Sequence, residues 1–115
     1  MRKIEKQMNF AISNKGNWSN SNTTVEYNDS TNCSTVFLHG NRIATYDHAL
    51  CAVKISSCGW YSNTPKSRLN AILQEVKYGC HVFQKQFEWF VSYRDDVKDF
   101  WDGMILVDAD HLEIA

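Results

Sequence analysis

Between Thr35 and Leu73 the chain sets out a strand, a Gly40-Asn41 turn and two further strands. A Ser56-Ser57-Cys58-Gly59-Trp60 run then opens into a helix with its own start and stop signals. Ser34 to His39 is rich in β-forming residues, and Gly40-Asn41 has the composition of a two-residue hairpin turn. Residues 42–46 return antiparallel. Cys51, Val53 and Ile55 then alternate with Ala52, Lys54 and Ser56, as on a strand with one buried face. For the helix, Thr64 suits an N-cap, Pro65 the first helical position and Gly79 the residue past the end. Leu69, Ile72, Leu73 and Val76 share a face opposite Ser67, Asn70, Gln74 and Lys77, so the apolar side should pack on the sheet.

The flanks extend the same pattern. Ile4, Met8 and Ile12 recur at helical spacing, with Gly16 where that helix should stop. Trp18 stands in a polar loop and reads as an anchor pinned to the domain, with a contact residue for a partner as the alternative. Thr24 to Tyr27 alternates as a strand. After Gly79, residues 80–83 and 87–91 read as a hairpin turning at Gln84-Lys85-Gln86, and residues 104–107 as the last strand. The chain is therefore predicted to be a single α+β domain over 1–115. It should hold an antiparallel sheet of about five to seven strands, one helix (about 65–78) on a face and a short N-terminal helix.

A length of 115 residues with 43% apolar and 13% aromatic content suits one globular core. No apolar run approaches the roughly 18 residues that a membrane span needs. The N-terminus is charged, without the apolar core of a signal peptide, so a cytoplasmic protein without a membrane partner is expected. On that reading the N-glycosylation patterns at Asn17, Asn22, Asn28 and Asn32 are products of an Asn/Ser/Thr-rich loop. Cys33, Cys51, Cys58 and Cys80 form no Cys-x-x-Cys pair. Although His48 and His81 lie near Cys51 and Cys80, the expectation is free thiols, no metal and no cofactor. Charge is uneven: residues 1–92 hold ten basic against six acidic side chains, residues 93–115 two against seven.

Catalytic chemistry finds little support. No Ser, Cys and His set carries a nucleophile motif, and no glycine loop is built to cradle a phosphate. Asp108-Ala109-Asp110-His111 reads as a solvated acidic tail, and His39 as a strand-end histidine bonded to backbone. The chain is expected not to be an enzyme. Two surfaces remain. The first is the strand-to-helix loop, where Trp60, Tyr61, Lys66 and Arg68 could contact a phosphate or a stacked base. The alternative there is that Trp60 folds under the helix and the hydroxyls only cap the loop. The second is the acidic end, where Asp95, Asp96 and Asp99 surround Phe100 and Trp101; its alternative is that the two aromatics close the core.

Three stretches then carry a likeness: Val36-Phe37-Leu38-His39-Gly40-Asn41-Arg42-Ile43-Ala44, Ile55-Ser56-Ser57-Cys58-Gly59-Trp60, and Thr64 with Lys66-Ser67-Arg68-Leu69-Asn70-Ala71. The pattern resembles a family of small accessory proteins of tailed bacteriophages, and a weaker likeness extends over most of the chain. Pro65 departs from the second threonine expected there, but it suits a helix start. The resemblance carries over no catalytic residues. It implies a non-enzymatic phage accessory protein that binds a host macromolecule, a host protein first and nucleic acid as the alternative, in host takeover or counter-defence.

Overall fold

The computed structural model describes residues 1–77, 79–93 and 96–107. Helix α1 (Lys3–Ser13) buries Met8, Ala11 and Ile12. The left-handed residue that closes it is Lys15 (φ 54°), one before the glycine expected there, and Gly16 donates back to the Ala11 carbonyl at 2.9 Å. Strands β1 (Trp18–Asn20), β2 (Thr23–Asn28), β3 (Cys33–Leu38), β4 (Asn41–Asp47) and β5 (Ala52–Ile55) follow as an antiparallel meander. The turn between β3 and β4 is His39-Gly40 (φ 52° and 79°), one residue earlier than composition predicts. Positive φ at both central positions makes this a type I′ loop, and Asn41 then pairs with Leu38 as the first residue of β4.

Helix α2 (Asn63–Val76) starts after Ser62, so Thr64 and Pro65 lie within its first turn. Proline is tolerated there because the amides of that turn have no intrahelical acceptor. Leu69, Ile72 and Leu73 are fully buried, and Val76 is half-buried against the core. Each full burial contributes roughly 1.5–3 kcal/mol by apolar transfer. Helix α1 packs on β2, while α2 contacts α1, β4 and β6.

The remaining strands divide. β9 (Met104–Leu106) pairs with β5 and completes a six-stranded sheet in the order β1-β2-β3-β4-β5-β9. β6 (Cys80–Lys85), β7 (Glu88–Tyr93) and β8 (Asp96–Asp99) form a second, three-stranded antiparallel sheet. The architecture is α+β, and the larger sheet has the expected size. A bulge at Val36/Phe37 turns both Ile43 and Ala44 of β4 inward. Val25, Val36, Ala44, Ile55 and Met104 make one continuous buried row, with Trp18 packed at its end as the anchor its sequence context predicts. No helix among the described residues is long and apolar enough to cross a membrane.

Candidate functional site

The loop before α2 is held by its hydroxyls. Asp102 Oδ1 accepts from the Ser57 amide at 2.7 Å and from Ser57 Oγ at 2.8 Å. Ser57 Oγ in turn accepts the Gly59 amide at 3.1 Å, and Ser56 Oγ the Cys58 amide at 3.0 Å. Cys58 and Gly59 (φ 55° and 80°) make a tight turn closed by the Trp60 amide on the Ser57 carbonyl at 3.0 Å. Ser57 is buried, so its hydroxyl is spent on closing the loop. Trp60, however, does not fold under the helix: it is 61% exposed, and Tyr61 52%.

A second loop contributes a residue that periodicity hides. The β6–β7 turn is Gln86-Phe87 (φ 52° and 68°), and Phe87 is 96% exposed. Phe87 has the strand parity of Trp89, Val91 and Tyr93, all buried, so alternation assigns it to the core. The one contrary signal is the Lys85–Glu88 pair, which closes a two-residue loop around it. A bulky side chain at positive φ is strained, and full exposure at the tip returns no burial.

The third loop joins them. Phe100 donates its amide to the Trp89 carbonyl at 3.1 Å, and the ring centroids of Trp89 and Phe100 are 5.3 Å apart. Tyr61 meets Trp89 at 5.0 Å and Phe100 at 6.3 Å. Tyr61, Phe87, Glu88, Trp89, Asp99 and Phe100 line a groove of about 350 Å³. Phe100 closes the core beneath it, while Trp101 is 41% exposed. The Trp89 indole N–H is buried without an acceptor among the described residues. The two stretches that sequence reading separates therefore meet at one groove through Tyr61 on one side and Asp99 and Phe100 on the other, while Trp60 lines a separate hollow with Leu38, His39 and Pro65.

Charges sort differently. Arg68 does not belong to that face, which corrects the expectation that it contacts a ligand beside Trp60. It is 3% exposed, and its guanidinium pairs with Glu5 Oε2 at 2.8 Å while bonding Thr23 Oγ1 at 3.1 Å and Asn22 Oδ1 at 3.3 Å. Burial alone would raise the Glu5 pKa, but bonds from Ser67 and Arg68 outweigh it and hold the carboxyl below its ordinary range. Lys66 stays near the surface and reaches Gln84 Oε1 at 3.4 Å. Asp96 and Asp99 are exposed on β8, with Asp96 3.6 Å from Lys98. Asp95 and the 108–111 acidic stretch lie outside the described residues.

A family model described as Kyanoviridae Gp96 protein matches residues 1–107. The chain belongs to this family of bacteriophage proteins. The match spans both sheets and the whole aromatic face, and the phage origin implied by the sequence pattern stands at that level. No curated protein and no solved structure matches the chain.

Elsewhere in this Gp96-family chain, one contact has the look of chemistry. Ser34 Oγ lies 2.8 Å from His48 Nε2, and Tyr27 and Tyr46 meet the imidazole edge-on. Desolvation, then the Lys15 charge, lower the His48 pKa against the opposing pull of Asp47. Ser34 is fully buried, however, and Asp47 Oδ1 accepts the Ala49 and Leu50 amides. The serine cannot meet a substrate, and the pair closes the end of the sheet. Burial pushes the Cys80 thiol up to about 11, the direction of an inert core thiol.

Proposed function

We propose that this chain is a non-enzymatic bacteriophage accessory protein that binds a host protein in the host cytoplasm, in host takeover or counter-defence. The observation that carries the reading is the exposure of Tyr61 and Phe87 on one groove, with Trp60 and Trp101 exposed on the flanking loops. Exposed large apolar groups in one patch mark contact surfaces, and buried aromatics supply most of the affinity at protein interfaces. The strain accepted at Phe87 has no return within the fold.

Nucleic acid is the second reading, favoured by two exposed aromatics beside Lys66. It is the weaker one. Backbone binding depends on cations neutralising phosphates, Arg68 is occupied in the core, and Glu88 and Asp99 line the groove. An affinity-tagged chain should retain a protein from host lysate with and without nuclease treatment, and the Phe87→Gly and Trp101→Ser variants should lose it. Retention of nucleic acid alone, or of the same protein by both variants, would overturn the reading.

A further inference from the structure

We propose that the groove between Tyr61, Phe87, Trp89 and Phe100 receives a basic side chain, an arginine or lysine presented by the docked protein. This inference rests on the function proposed above and names the chemistry of the partner.

The three inner rings cross steeply: 81° between Tyr61 and Trp89, 87° between Tyr61 and Phe100, and 64° between Trp89 and Phe100. Rings so crossed present π-faces and edges on more than one side of a shared space, and the faces carry the negative end of the ring quadrupole. Trp89 and Phe100 are almost wholly buried and make the floor, while Tyr61 and Phe87 rise as exposed walls. A cation within reach of such faces is attracted, most strongly once it is desolvated.

Two acidic residues, Glu88 and Asp99, line the same space, and neither carboxylate has a side-chain hydrogen-bond or ion-pair partner among the described residues. Lys85 stands opposite Glu88 in the β-ladder and Lys98 lies 3.6 Å from Asp96, but neither lysine lines the groove. An apolar occupant would match the rings yet strip water from both carboxylates without replacing it. An anionic occupant would be repelled by them. A guanidinium or ammonium group on an aliphatic stem satisfies both features, with its stem on the rings and its charge at the carboxylates.

The test is a titration of the isotope-labelled full chain, followed by NMR, with a blocked pentapeptide carrying one central arginine. Lysine and citrulline versions of the same peptide are the second and third probes. Citrulline keeps the shape of arginine and removes its charge. The arginine and lysine peptides should shift the Trp89 indole N–H and the Tyr61, Glu88 and Asp99 amides saturably, and the citrulline peptide should leave them in place. In the Glu88→Gln/Asp99→Asn double variant the apparent Kd should rise about tenfold or more. Equal shifts from the citrulline peptide, indifference to the double substitution, or no shift at these residues with arginine would overturn the proposal. The two readings fail separately. If the double variant still retains the host protein and no peptide shifts the groove, docking stands and the cation receptor falls. If the arginine peptide titrates into the groove while lysate yields no protein, the receptor stands and the host-protein reading falls.

Discussion

The carboxamide of Asn70 closes the free edge of β6 by bonding both main-chain groups of Val82. Its Nδ2 donates to the Val82 carbonyl at 2.9 Å, and its Oδ1 accepts the Val82 amide at 2.6 Å. A helical side chain thus stands in for a neighbouring strand. The bond pair ties the small sheet to α2, and with it the hairpin bearing Phe87 to the helix that starts beside Tyr61. Asn70→Ala should destabilise the fold by about 1–3 kcal/mol, the cost of leaving buried main-chain groups without partners. Asn70→Asp should do the same, because a carboxylate cannot donate to the Val82 carbonyl. Urea denaturation measures the loss, and an altered tryptophan emission should report that the groove has loosened.

Glu5 and Arg68 set a limit in acid. The Glu5 pKa is depressed in the folded chain, so its contribution is fully present above the unfolded value and is lost as pH falls through the folded one. Stability should hold from neutrality down to about the ordinary glutamate value of 4.5 and decline below it. Glu5→Gln should flatten that decline relative to the native chain. It should also cost roughly 3–5 kcal/mol at neutral pH by leaving the Arg68 charge buried and unpaired. Urea midpoints across the acid range, native against variant, check both the slope and the offset.

Phe87 should separate stability from binding. Phe87→Gly relieves positive φ at a position where the side chain buries almost nothing, at the expense of a more flexible unfolded chain. The variant should be unchanged or up to about 1 kcal/mol more stable by thermal denaturation. Host-protein retention should nonetheless disappear. A core truncation makes the contrast: Ile72→Ala should cost about 2–5 kcal/mol.

The acidic stretch that includes β8 should act on rate. Changing Asp95, Asp96 and Asp99 together to Asn should slow association with a basic partner, since surface charges such as Asp96 and Asp99 steer encounter more than they hold the complex. The difference should shrink as salt rises and the screening length falls below about 10 Å. Surface-binding kinetics at low and high salt check this, with circular dichroism to establish that the fold is intact. Kinetics indifferent to both substitution and salt would leave those carboxylates to solubility alone.

Local order was readable along the chain. Leu69, Ile72 and Leu73 recur at helical spacing, and the hairpin over residues 35–46 carries its turn composition with it. Both signals arise between residues a few positions apart, where backbone geometry alone decides which side chains share a face. The shift of the turn to His39-Gly40 is the limit of that reading, because composition marks a turn but hydrogen-bond register places it.

Three outcomes depended on contacts between distant segments. Arg68 at the opening of a helix looks like a surface cation until α1 brings Glu5 to 2.8 Å from it. Phe87 follows the parity of a buried strand, and only pairing of Lys85 with Glu88 turns it out into solvent. Tyr61 and Phe100 belong to loops on opposite sides of the β6–β7 hairpin in sequence, yet their rings lie 6.3 Å apart. Periodicity says which face of an element is apolar. It says nothing about which other element covers that face, since that follows from how the whole chain closes its core. The helices and the central hairpin were therefore determined locally, and the aromatic face came into being only when two sheets and two helices packed together.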